Sequence, residues 1–218
     1  MSSKKTLAIS AICFPPCLIG PACLMDNLFR HFPKGSYHIL MGRLDHQWLP
    51  IDMKSMLPAQ YTYTRYPNFN LSGNLIRCIR TFVRDVYAML EVTWKGLKII
   101  HREKIDSIFV VSDHHVELSA LFMSWLTGNK IVLWLPDVYY CLDESNGRWE
   151  QIFRRFLEPF LLRRVNTVLV TAEVTQEYYK EKYNLDTEVL PHSTNIQEYN
   201  EPKQKIFQGI ETKNIMYT

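Results

Sequence analysis

The chain alternates between short runs of consecutive apolar residues and longer segments whose apolar positions recur every three or four residues. Seven runs have the length and flanks of strands: Leu7–Phe14, Tyr37–Met41, Gln60–Tyr66, Asp106–Ser112, Lys130–Leu135, Thr167–Thr171 and Thr187–Leu190. DSIFVVS and KIVLWL are almost continuously apolar, the pattern of strands buried on both faces of a parallel sheet. QYTYTRY instead alternates Tyr with Thr and suits a more exposed strand. Leu75, Ile79, Phe82, Val86, Leu90, Trp94, Leu97 and Ile100 step by three or four, predicting a long helix over 71–103 capped by Ser72 or Asn74. Further helices are predicted over 22–32, 115–127 (stopped by Gly128-Asn129), 148–164 and 173–183.

Strands alternating with helices, without internal repeats, predict an α/β fold. The expected form is a Rossmann-like three-layer sandwich, a mostly parallel sheet of about seven strands covered by helices on both faces through right-handed crossovers. Such sheets bind ligands beyond the carboxyl ends of their strands, which directs attention to the loops 15–24, 112–115, 136–147, 171–173 and 191–195. The first has no G-x-G-x-x-G, so the dinucleotide fingerprint is absent. It does place Gly20 ahead of a helix, where backbone N–H groups can hold an anion or a sugar hydroxyl. In SDHH, Asp113 is a natural helix cap, and His114 and His115 are binding candidates. Adjacent residues at a helix start project in different directions, so chelation by the pair is not expected. LWLPDVYYCLDESN brings Asp137 to the rim with Tyr139 and Tyr140 behind it. A carboxylate there accepts hydrogen bonds from hydroxyls and an aromatic ring packs on a carbohydrate face, making Asp137 a candidate site carboxylate and Tyr139 a candidate carbohydrate contact. LPHSTN adds His192 and Asn195 as polar binding candidates, although such loops also serve as plain connectors.

Composition narrows the picture a little. With 47% hydrophobic, 13% aromatic and 22% charged residues the chain is an ordinary globular one with ample core material. A net charge of +3 is too small to imply a nucleic-acid partner. The five cysteines, Cys13, Cys17, Cys23, Cys78 and Cys141, form no C-x-x-C pair, so neither a zinc site nor a disulfide framework is expected. The N-terminal apolar run is broken by Ser10 and ends at Pro15-Pro16, as a first strand does and a signal peptide does not. No run approaches the ~18 apolar residues of a membrane span, and a cytoplasmic location is expected. One helix, 148–164, carries Arg148, Arg154, Arg155, Arg163 and Arg164 beside an apolar face that includes Trp149, Phe153 and Phe160. It is a candidate for peripheral contact with the inner face of a membrane, although a sandwich helix must bury one face in any case.

Taken in order, these segments resemble the N-terminal domain of glycosyltransferase family 4, of GT-B architecture. FPP with the glycine-bearing loop resembles the family's opening strand and loop, and GNKIVLWLPDVYY a strand ending in aspartate. FLEPFLLRRVNTVLVTAEVTQEYY resembles the family's Glu, basic pair, apolar strand and helix opening with Ser/Thr and Glu. EVLPHSTNIQEYN stands where the family has a V-I-P-N-G-V-D-like stretch. Two departures are Pro136-Asp137 in place of His-Asp and His192-Ser193 in place of Asn-Gly. The resemblance implies that Gly20 and Asp137, with His192, face a cleft. It implies residues 1–200 as an acceptor-binding domain, and 201–218 as a link into a C-terminal donor domain that starts near KNIMYT. It further implies sugar transfer from a nucleotide-sugar to a glycan or lipid-linked acceptor with retention, no cofactor or metal held by this half, and no activity from this half alone. The alternatives are a partner subunit of a split glycosyltransferase and a GT-B sugar-nucleotide epimerase.

Overall fold

The computed structural model describes residues 4–42, 51–64, 74–112, 115–136 and 158–190, with backbone only for 74–82 and 115. Seven strands occupy the places the sequence predicts: β1 Thr6–Ser10, β2 Tyr37–Gly42, β3 Gln60–Thr64, β4 Ser107–Val111, β5 Lys130–Leu135, β6 Thr167–Val170 and β7 Glu188–Val189. Four helices are fully bounded: α1 Gly20–Arg30, α2 Asn74–Glu103, α3 His115–Thr127 and α4 Glu173–Tyr183. Residues 158–162 are also helical. The strands form one sheet in the order β3-β2-β1-β4-β5-β6-β7, and every pair within it is parallel. The edge position of β3 accounts for its Tyr/Thr alternation, and the central positions of β4 and β5 account for their continuous apolar runs.

Two cores follow from the pleat. Leu7 and Ile9 of β1, Leu40 of β2, Ile108 and Val110 of β4 and Leu133 and Leu135 of β5 pack beneath α2, α3, α4 and Leu162. Their neighbours in the strands, Ala8, Ile39, Met41, Phe109, Val111 and Trp134, face the other way, toward Ala22, Met25 and Phe29 of α1. Phe29 is the hub of this second core, with ring centroids 5.4 Å from Phe14, 5.1 Å from Tyr37 and 5.3 Å from Phe109. Burying each such side chain stabilises the fold by about 2 kcal/mol.

Two local expectations, the end of the first strand and the bounds of the first helix, are corrected. The first strand stops at Ser10 rather than Phe14 because the Ser10 hydroxyl accepts the Cys13 N–H (2.9 Å), turning the chain so that Phe14 drops into the α1 core. Helix α1 begins at Gly20, with Pro21 in its first turn where a missing N–H costs nothing, and ends at Arg30. Along α2 the apolar spacing predicts a helix but not its buried side. Ala88, Val92, Ile99 and Ile100 are buried, whereas Leu90 and Trp94 of the same spacing series face solvent. In 158–164, Leu161 and Leu162 are buried and Phe160 is exposed beneath Arg164 (4.3 Å), so the inward-facing reading of that segment holds for these leucines. The rest of 148–164 lies outside the described residues.

Side-chain bonds tie distant segments to the sheet. His38, buried in β2, sits between Glu103 at the end of α2 (Nδ1 to Oε1, 2.9 Å) and Thr62 of β3 (Nε2 to Oγ1, 2.8 Å). The arrangement suits a neutral ring whose Nδ1–H donates to the carboxylate and whose Nε2 accepts from the hydroxyl. Burial holds the imidazole below its ordinary pKa despite the pull of Glu103 in the other direction. Burial would raise Glu103, but hydrogen bonds and charge from Arg102 and His38 outweigh it and hold the carboxyl low. At β2's other end Gly42 donates to Ala11 O at 2.9 Å, and an added Cβ would sit 2.6 Å from that oxygen.

Two predictions follow from these contacts. Both folded-state pKa values lie below those of the unfolded chain, so each group makes unfolding easier as pH falls. The His38 share is fully present above about pH 6.5 and is lost below it, and the Glu103 share is lost below about pH 4.5. Denaturant midpoints should therefore fall between about pH 7 and 5.5, and His38→Gln should flatten that segment; an unchanged slope in the variant refutes the assignment. Gly42→Ala must move backbone rather than a side-chain tip, and its stability to denaturant should drop by about 1–3 kcal/mol; a neutral result would show that the β1–β2 contact is slack.

Candidate functional site

Because all strands point the same way, the loops after β1, β4, β5, β6 and β7 emerge at one edge of the sheet. Their ends are in step. Ile9 pairs with Val110, Val111 with Trp134, and Leu135 with Val170. The strand order places a topological switch at this edge: the chain leaves β1 toward β2 on one side and leaves β4 toward β5 on the other. Helix α1 packs in one core and α3 in the other, so the chain leaves β1 and β4 toward opposite faces of the sheet, the arrangement at which open α/β sheets have their ligand crevice.

One wall of the crevice is the loop 11–19. It is held by Cys17 N–H to Phe14 O (3.2 Å), by Asp52 N–H to Pro16 O (2.9 Å) and by an isolated antiparallel bridge between Cys17 and Ile51. The Pro15–Pro16 bond is cis. The loop ends at Ile19, extended and without a side-chain cap, so α1 opens at Gly20 with no acidic residue in its first turn. Gly20 is exposed, and nothing stands within 4 Å of where a side chain would begin. Cys13 and Cys17 are buried, and burial pushes the Cys17 thiol up, leaving it protonated and a poor nucleophile at neutral pH.

The opposite wall begins at Ser112, whose N–H donates to Trp134 O (2.9 Å) and whose hydroxyl donates to Glu117 in the first turn of α3. That contact orients the helix carrying His115 at its start. Next along the edge, the Thr171 hydroxyl donates to Pro136 O (3.1 Å), tying the end of β6 to the residue that precedes Asp137. Leu190 N–H donates to Val170 O (2.7 Å) and brings the approach to His192 beside β6. Behind β5, on the α3 side, a cavity of about 10 Å³ lies among Glu117, Glu158, Leu133, Leu135, Leu161 and Leu162. That is room for about one water, so it is no substrate pocket. Glu158 there accepts from the Tyr183 hydroxyl at 2.7 Å.

Of the candidates named from sequence, Gly20 is placed at the crevice, and the backbone of His115 opens α3 across from it. Asp137, His114, Tyr139, His192 and Asn195 lie outside the described residues. Ser112, Glu117 and Thr171 are not among the residues named from sequence; Ser112 and Thr171 carry a positional signal, each following directly on the end of a strand, and Glu117 lies in the first turn of the next helix. Among the described residues no three His, Cys, Asp or Glu side chains are grouped to hold a metal ion, and no helix is long and apolar enough to cross a membrane.

The Thr171–Pro136 bond joins two loops through a single hydroxyl. Thr171→Val should lower stability by about 1 kcal/mol, read from chemical denaturation, while Thr171→Ser should restore it. Equal stability of the valine and wild-type chains would remove that bond from the site's framework.

Neither a protein-family model nor a curated protein sequence matches the chain. Solved structures do resemble it. UGT89C1 of Arabidopsis thaliana, complexed with UDP-L-rhamnose, is 12% identical at a TM-score of 0.54, with 88% of this chain and 49% of that one covered. A UDP-N-acetylglucosamine 2-epimerase from Rickettsia bellii is 14% identical at a TM-score of 0.50, with 85% and 44% covered. The chain thus spans about half the length of each. At such identities the likeness is one of fold, and the chain has the Rossmann-like parallel α/β fold of one half of a GT-B protein.

Proposed function

We propose that this chain is the acceptor-side, N-terminal half of a family 4 glycosyltransferase that moves a sugar, with retention, from a nucleotide-sugar to a glycan or lipid-linked acceptor. The observation that supports it best is the crevice at the β1/β4 switch, walled by an uncapped and unobstructed helix start at Gly20, in a fold shared with UGT89C1. An open helix start at Gly20 and hydroxyl-rich loops suit a polyhydroxylated acceptor. In this reading Asp137 is the cleft carboxylate that orients an acceptor hydroxyl, and Gly20, His114, His115, Tyr139, His192 and Asn195 line the acceptor's path. Residues 1–200 form the domain and 201–218 lead toward the half that holds the nucleotide-sugar. Charge developing on the sugar in the transition state would then be stabilised by groups from both halves.

A second reading keeps the same fold and takes its support from the epimerase likeness: the chain as half of an enzyme that interconverts UDP-sugars without any acceptor. The two differ in what this half binds. Saturation-transfer NMR on the purified chain should detect oligosaccharide or lipid-linked glycan binding, weakened about tenfold or more by Asp137→Asn, equivalent to ~1.4 kcal/mol. Radiolabelled UDP-sugars should give no transfer with the chain alone. Glycosyl transfer by the 218-residue chain would overturn the half-enzyme reading. Tight binding of a UDP-sugar with no binding of glycans would favour the epimerase, and co-purification of a stoichiometric second chain would identify a split enzyme.

A further inference from the structure

Glutamate is seldom buried without a partner, yet two glutamates line one cavity behind β5. Glu117, in the first turn of α3, and Glu158 are each only 9% exposed. Leu133, Leu135, Leu161 and Leu162 complete the walls around a volume of about 10 Å³. Each carboxyl accepts one hydroxyl: Ser112 donates to Glu117, and Tyr183 donates to Glu158 Oε2 at 2.7 Å. Burial pushes the Tyr183 hydroxyl above its ordinary pKa, so it stays protonated and a donor at neutral pH.

The second oxygen of Glu158 is the anomaly. Oε1 is shut off from bulk solvent and meets no hydrogen-bond donor among the described residues. A buried oxygen that has lost its hydration needs another donor, and in folded proteins it nearly always finds one. The leucine side chains around it carry none, and the unfilled space beside it is this cavity. A volume of this size admits about one water. That water brings two O–H groups, and the cavity offers two carboxyl groups to receive them. A carboxyl has about four lone-pair sites, so the Ser112 hydroxyl leaves Glu117 room for a further donor. A metal ion suits the space less well. Calcium asks for about six or more oxygen ligands, whereas four of the six lining residues are leucines.

We propose that this cavity is a binding site for a single water, which donates one O–H to Glu158 Oε1 and the other to Glu117. Leu135 is the last residue of β5, and Glu158 is the first described residue beyond 137–157. Both ends of the stretch that carries Asp137 and Tyr139 therefore border the water. A chain of hydrogen bonds from Ser112 through Glu117, the water and Glu158 to Tyr183 fastens the base of that stretch between the start of α3 and the end of α4. This holds whichever sugar reaction the crevice serves.

Water-to-methyl Overhauser spectroscopy on the purified chain, with its leucine methyls labelled, tests the site. Cross-peaks to a long-lived water are expected at Leu135, Leu161 and Leu162. Glu158→Gln keeps a polar group in place of Oε1 and should retain them, whereas Glu158→Met removes it and should abolish them. Tyr183 keeps its hydroxyl in both variants, so proton exchange through that group cannot produce the difference. Absence of the cross-peaks in the wild-type chain overturns the proposal, and that result needs no variant to fold. Undiminished cross-peaks in a folded Glu158→Met chain overturn it as well, because Glu158 would not be what holds the water. If calcium, magnesium or sodium chloride shifts these methyls and removes the water signal, the site belongs to a cation and the proposal fails. No glycan or UDP-sugar enters the measurement, so its outcome is separate from that of the binding experiments on the crevice.

Discussion

Two neighbouring parallel strands point the same way, so the chain leaving one must travel back across a face of the sheet before it can begin the next. With all seven strands parallel, no connection here can be a tight turn, and each must lie against the sheet. Right-handed crossover then decides the face. Steps toward β3 put α1 on one side, and steps toward β7 put α2, α3 and α4 on the other. The two cores, the shared edge from which the loops emerge and the parting of loops between β1 and β4 all follow from that constraint.

The candidate crevice is therefore a by-product of connectivity, and side chains only finish it. The loop from Ala11 to Ile19 is held by hydrogen bonds to Gly42 and Asp52 and by Phe14 in the α1 core. On the opposite wall, Ser112 orients α3 through Glu117, and Thr171 fixes the carbonyl before Asp137. Rigid strand ends thus deliver loops that are free to vary in sequence. This is the usual division of labour in open α/β sheets.

The same connectivity leaves α2 with more apolar surface than the sheet can take. A helix of 30 residues crossing from β3 to β4 spans the sheet once, and only one of its sides can face it. α3 covers a flank, through Gly96 and Met123, and leaves Leu90 and Trp94 open to solvent.

Much of the fold was legible in the residues, since strand and helix identity rest on short-range periodicity. IFVV and IVLWL could only be buried strands, and Gly128 after α3 or Asn184 in the left-handed conformation after α4 end helices for local reasons. Some local competition stayed hidden, as at Ser10, where one hydroxyl outbid a fully apolar continuation of the strand. The placement of most candidate site residues rests on the sequence, because Asp137 and residues 191–195 lie outside the described residues. By itself the sequence determined the element types, their order and the loops at the strand ends. Strand order, the switch between β1 and β4, and which apolar side of α2 is covered were decided only by tertiary structure. The physical reason is range: His38 meets a partner 65 residues away, and no local pattern encodes which distant surface a strand or helix will find.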